Sequence, residues 1–137
     1  MVRPSRGQIY LVNFDPTVGA EIRKTRPAFV VQDDTANKSS PVTIVAAITS
    51  QFEEPLYPTK VLLPAGRGTD LSVDSVVLLN QLRTVDRRRL ASRIGQVAAQ
   101  TMRLVNDARV VAIGRRRSGA ASQGGGWLNT GKTGGSR

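Results

Sequence analysis

The chain contains neither cysteine nor histidine, which removes disulfides, zinc sites, thiol and imidazole nucleophiles and imidazole acid–base catalysis together. Chemistry is left to guanidinium, ammonium, carboxylate, hydroxyl and amide groups. The carboxylates include two adjacent pairs, Asp33-Asp34 and Glu53-Glu54. Neither pair has a third ligand at a recognisable spacing, so both read as solvated loop acids and no metal is expected. The cations carry more information. Twenty Lys and Arg stand against ten Asp and Glu, a formal net charge of +10 in 137 residues. A charge of that size on so small a chain points to a polyanionic partner, nucleic acid first. Arg26 precedes one apolar run and Thr49 follows the next. If those runs pair antiparallel through the Asp33–Pro41 connection, the two side chains meet at one edge of the sheet. Five fixed donors suit a guanidinium to holding negative charge, while the lack of any acceptor site makes it a poor general base. Pattern alone reads Arg26 equally as a solvated loop cation and Thr49 as an ordinary strand-end residue.

The elements that must position these groups are short. Gln8–Phe14, Ala28–Gln32, Val42–Ile48, Lys60–Leu63 and Ser75–Leu79 are β-branched-rich runs bounded by Gly, Pro, Asp, Asn or Ser, the signature of strands. Gln81–Val85 extends or follows the last of them, and Ser92–Val97 forms one more. Between Ala98 and Ile113 the period changes. Met102, Val105, Ala108 and Ala112 recur at helical spacing, and Gly114 supplies a stop. Many strands followed by a single helix, without alternation, predict a mainly β fold: a small antiparallel barrel or strongly bent sheet capped by a C-terminal helix. With 39% apolar residues and one Trp, two Tyr and three Phe, the core must be largely Val, Leu, Ile and Ala. Residues 1–114 are expected to form one domain. Residues 115–137 are Gly/Ser-rich, carry five basic residues (Arg115, Arg116, Arg117, Lys132 and Arg137) and no acid, and read as a disordered tail. No run approaches the ~20 apolar residues of a membrane helix, and no hydrophobic leader opens the chain. A cytoplasmic location without membrane contact is expected.

Arg6-Gly7 before the first strand, Gly19-x-Glu21 leading to Arg26-Pro27 before the second, and Ile48-Thr49-Ser50 closing the third stand in order. This ordered set, spanning residues 6 to about 113, resembles the MazF/PemK family of toxins from toxin–antitoxin systems. The resemblance implies a compact SH3-like or CcdB-like barrel and a homodimer. It implies a metal-independent, sequence-specific endoribonuclease that cleaves single-stranded RNA, mRNA included, and is blocked by a cognate antitoxin. No cofactor is implied.

The family motif puts its catalytic arginine and threonine at Arg26 and Thr49. RNA can cleave itself through its 2′-hydroxyl, so such a site need only orient the attack, move two protons and hold the developing charge. Arg26 then stabilises charge and Thr49 positions the phosphate or the 2′-hydroxyl. Glu21 either accepts a proton or simply pairs with Arg23 or Lys24 in its loop. For RNA binding, Arg6, Arg23, Lys24 and Arg83 come from strand ends and loops that the topology could gather near Arg26. Gln81 matches a family glutamine, as a base reader or a sheet-edge amide. Arg87-Arg88-Arg89 reads as the exposed face of a turn, and base stacking would fall to Tyr10, Phe14, Phe52 or Tyr57. Two other functions fit the charge and a small barrel: a non-catalytic CcdB-like toxin that poisons a protein target, and a plain nucleic-acid-binding module.

Overall fold

The computed structural model describes residues 2–14, 25–66 and 68–114. Among these, β1 (Gln8–Asn13), β2 (Thr25–Val30), β3 (Val42–Thr49), β4 (Lys60–Leu63), β5 (Ser75–Asp86) and β6 (Leu90–Gln96) form one sheet in the order β4-β5-β3-β2-β1-β6. Every pairing in it is antiparallel. A short helix α1 (Asp34–Asn37) lies between β2 and β3, and α2 (Ala99–Ile113) follows β6. The mainly β, helix-capped architecture is the one the apolar pattern predicts. The tail from residue 115 onward, and with it the boundary drawn at residue 114, falls outside the described residues.

Side chains alternate across the strands, and both faces of the sheet are buried. Ile9, Phe29, Ala46, Ile48, Val61 and Leu63 belong to the larger core, which α2 covers with Val105 and Ala108, flanked by Met102 and Ala112. This is the helical stripe expected from the spacing. Tyr10, Val12, Ala28, Val30, Val45 and Val85 occupy the opposite face as a second, smaller cluster. One flat sheet of this size cannot bury two faces, so the strands curl. Part of the curl comes from β5. The expected runs Ser75–Leu79 and Gln81–Val85 are a single twelve-residue strand, but its register against β3 shifts. Ala47 pairs with Leu78 whereas Ala46 pairs with Leu82, leaving three β5 residues out of the ladder and bending the strand there.

Two further departures from the sequence reading have local causes. β2 begins at Thr25, earlier than its apolar run, because Thr25 and Arg26 pair with Asn13 and Val12 of β1. Arg26 is therefore a strand residue and not a loop cation. The ladder between β2 and β3 stops at Ala28, next to Pro27, which has no N–H to donate. The arginine run forms a 3₁₀ turn over Arg87–Arg89, whose entry Asp86 caps by accepting from the Arg88 backbone N–H at 2.8 Å and pairing with the Arg88 guanidinium at 3.0 Å. Those bonds hold the Asp86 carboxyl below its ordinary pKa.

The connection from β2 to β3 is held by a buried polar cluster. Asn37 is only 2% exposed. Its Oδ1 accepts from Gln32 Nε2 and from the Thr43 hydroxyl, each at 2.8 Å, and its Nδ2 donates to the Gln32 carbonyl at 2.8 Å and to Asp34 Oδ1 at 3.1 Å. All its polar capacity is used, and the crossover between the two strands is clamped at a single length. Asn37→Ala strands the buried Thr43 hydroxyl. We expect a loss of about 2–4 kcal/mol in urea unfolding with an unchanged m-value.

Candidate active site

The register of β2 on β3 builds the site. Ala28 faces Ala47, Phe29 faces Ala46 and Val30 faces Val45. Two residues beyond the last pair, Arg26 and Thr49 fall on the same side of their strands as Ala28 and Ala47. Both line one cavity of about 420 Å³. One wall is Arg26, Pro27, Ile48, Thr49 and Ser50. The other is Leu71, Ser72, Val73 and Ser75, from the hairpin that joins β4 to β5. The volume suits a single nucleotide-sized ligand.

The cavity's electrostatics are simple. Among the described lining residues Arg26 is the one charge, exposed at the mouth, and the other polar groups are the hydroxyls of Thr49, Ser50, Ser72 and Ser75. The Thr49 hydroxyl is already oriented. Its oxygen accepts from the Gln51 backbone N–H at 3.0 Å, and its own proton meets the Gln51 carbonyl only at 3.5 Å, the outer limit of a hydrogen bond. The proton is therefore available to an incoming acceptor. A fixed cation beside an available hydroxyl proton, with neutral walls around them, is an anion-binding arrangement.

The remaining expected site residues separate into three groups. Arg83 pairs with Val45, on the same face of β3 as Thr49 but four residues along, about 13 Å. Its guanidinium stacks over the Phe14 ring at 4.9 Å. Gln81 is exposed within the three-residue step that leaves the β3 ladder. Arg6 is not gathered with Arg26, contrary to the expectation from topology. Its Nε donates to the Val31 carbonyl at 2.9 Å and its Nη2 to Asn106 Oδ1 of α2 at 2.8 Å, while its backbone N–H bonds Asp34 Oδ1. Val31 lies five residues from Arg26 along the chain, about 16 Å. Burial and the nearby Arg109 lower the Arg6 pKa, with Asp33 and Asp34 acting in the opposite direction. Arg6 ties the N-terminal segment to the end of β2 and to α2. Glu21, Arg23 and Lys24, with Gly19, lie outside the described residues.

Sequence reasoning missed the second wall. Sequence analysis gives Leu71, Ser72 and Val73 no role, and Ser75 only that of opening a strand; no local pattern brings them to the cavity that Arg26 lines. Of the aromatics considered for stacking, Tyr10 is buried in the smaller core, whereas Tyr57 is 72% exposed with Lys60 over its ring at 5.3 Å.

Comparison with known proteins follows the same lines. The family model described as PemK-like, MazF-like toxin of type II toxin-antitoxin system matches residues 5–111. The chain is 38% identical over 109 residues to the endoribonuclease MazF of Staphylococcus saprophyticus, covering 80% of this chain and 90% of that protein. It is 39% identical over 108 residues to the endoribonuclease EndoA of Bacillus subtilis, covering 79% and 92% respectively. A crystal structure of MazE–MazF from Deinococcus radiodurans matches with a TM-score of 0.66 at 26% identity, over 85% of this chain and 100% of that one. With a family model matching residues 5–111, relatives 38–39% identical over most of their length and a shared fold, the chain belongs to the PemK-like, MazF-like toxins of type II toxin–antitoxin systems.

Proposed function

We propose that this protein is an endoribonuclease toxin that cleaves single-stranded RNA, mRNA included, by attack of a ribose 2′-hydroxyl on the adjacent phosphorus. The observation that carries this reading is the convergence of Arg26 and Thr49 on one nucleotide-sized cavity, in a family whose relatives are named endoribonucleases. The new bond joins the 2′-oxygen to phosphorus and the broken bond releases the 5′-oxygen of the next nucleotide. The 2′-hydroxyl proton passes to a base, and a second proton, given by Arg26 as a role secondary to holding charge and replaced from solvent, goes to the departing oxygen. The products are a 2′,3′-cyclic phosphate and a 5′-hydroxyl.

Arg26 supplies fixed positive charge to the non-bridging oxygens as they gain charge, the largest single contribution such a site makes. The Thr49 hydroxyl, held as an acceptor by Gln51, donates its proton to one of those oxygens or to the 2′-oxygen and so orients the attack. A guanidinium has no acceptor site for a proton, and Glu21 is the carboxylate we assign to that step. No divalent cation enters the sequence of bonds. Arg23, Lys24 and Arg83 contribute phosphate contacts and Gln81 a base contact. We further infer a homodimer in the cytoplasm, and an antitoxin whose acidic segment competes with RNA for the cationic face. The charge of +10 and the recorded MazE–MazF assembly of a relative support that competition.

Mapping product ends after incubation with a mixed RNA pool tests the reaction. Cleavage should persist in EDTA and leave 2′,3′-cyclic phosphate termini; binding without product would overturn it. Arg26→Ala should lower kcat by about 10²- to 10³-fold in a folded protein, and Arg26→Lys should restore little, since a point charge cannot reproduce the guanidinium fork. Thr49→Ala should fall in the same way while Thr49→Ser, which keeps the hydroxyl, recovers part of the rate.

A further inference from the structure

The cavity has two walls of different character. The β2–β3 wall carries the charge and the donor. Among the described residues, those that the β4–β5 hairpin contributes to the lining are neutral: Leu71, Ser72, Val73 and Ser75. Uncharged side chains add little attraction for a phosphate, but they discriminate between neutral surfaces that differ in shape and hydrogen bonding. Val73 is 53% exposed although Leu71 and Ser75 on either side are buried, so an apolar side chain is presented to the cavity with nothing packed on it. The Ser72 hydroxyl is exposed and has no hydrogen-bond partner among the described residues.

The hairpin is built to hold these two side chains still. The Asp74 carboxylate accepts from the Ala65 backbone N–H at 2.8 Å and the Thr69 hydroxyl donates to the Pro64 carbonyl at 2.7 Å. The Ser75 hydroxyl donates to the Val73 carbonyl at 3.0 Å, and Leu71 anchors the hairpin in the larger core. The loop is also tied across the molecule, because Gln96 of β6 donates its backbone N–H to the Gly68 carbonyl at 2.9 Å. Gly95 makes that approach possible. A Cβ there would collide with the carbonyl oxygens of Thr69 and Gly68. The hairpin thus closes the curl between β4 and β6 and fixes its wall opposite Arg26 and Thr49.

We propose that Ser72 and Val73 form the nucleoside-recognition wall of the cavity: they receive the nucleoside attached to the phosphodiester held by Arg26 and Thr49, and set cleavage preference at that position. This rests on the ribonuclease reading above and adds to it the element that chooses the nucleotide. Val73 packs on the apolar face of the base or ribose, and Ser72, with one donor and two acceptor sites, bonds a base edge or a ribose hydroxyl. Gly95 is a positioning residue that acts through the hairpin.

The test is product-end sequencing from a random single-stranded RNA pool, with kcat and KM measured on the wild-type preferred site. Ser72→Ala and Val73→Ala, both at exposed positions, should relax base preference at one nucleotide flanking the cleaved bond by about 5- to 10-fold, and raise KM more than they lower kcat. Ser72→Thr should retain the preference. Gly95→Ala, if its circular dichroism matches the wild type, should relax the same position although it lies outside the cavity. Wild-type cleavage with unchanged flanking preference in both Ser72→Ala and Val73→Ala overturns this inference alone. Absence of cleavage by the wild type overturns the ribonuclease reading and this inference with it.

Discussion

The alignment of β2 against β3 is the constraint on which the site depends. Side chains alternate between faces with a period of two, so a slip of one residue would send either Arg26 or Thr49 to the other side of the sheet. Both faces of this sheet are packed, with Phe29 and Ala46 in one core and Ala28, Val30 and Val45 in the other. A slip would therefore exchange the occupants of two cores at once. The Asn37 cluster in the connecting segment adds a second lock, because Gln32 and Thr43, at the end of one strand and near the start of the next, bond the same side chain. The Arg26–Thr49 pair is positioned by packing and polar satisfaction at the far end of its strands.

Curling is what turns a strand end into a cavity. A flat sheet would leave Arg26 and Thr49 on an open edge with no facing wall. The register step in β5 bends the sheet, and the contact of the β4–β5 hairpin with β6 at Gly95 draws its two edges together. The resulting space has charge on one side and neutral groups on the other. That division separates two demands on a nucleic-acid enzyme: attraction to a phosphate, which is blind to sequence, and contact with the nucleoside, which is not. The long-range part of the attraction comes from the whole basic chain, while the short-range part is concentrated in one guanidinium.

Much of the fold was legible because it follows local rules. The apolar runs marked the strands, and the Met102, Val105, Ala108 and Ala112 spacing marked the buried stripe of α2, since each depends on which face of a single element is apolar. Boundaries were less legible. Arg26 reads as a loop residue because it is charged and precedes proline, yet pairing with Val12 of β1 draws it into a strand. Whether Gln81–Val85 extends Ser75–Leu79 or follows it is open in the sequence, and pairing with β3 on both sides of Asn80 makes them one strand. Arg6 shows the limit for site residues. Its charge and its place before β1 suit RNA, but a guanidinium satisfies a backbone carbonyl and Asn106 just as well, and only coordinates distinguish the two uses.

By itself the sequence determined the chemical inventory and the fold class. Without thiol or imidazole, catalysis is confined to guanidinium, ammonium, hydroxyl, amide and carboxylate groups, and the periodicity of short apolar runs before one amphipathic helix leaves few architectures. Those properties are carried by residue type and near-neighbour spacing. Which groups meet was decided by tertiary structure: Arg26 with Thr49 through a register, the β4–β5 hairpin with both through the curl of the sheet, and Arg6 with α2 in place of the cavity. Contacts between residues distant in the chain depend on how whole strands align and bend, and no local pattern encodes that.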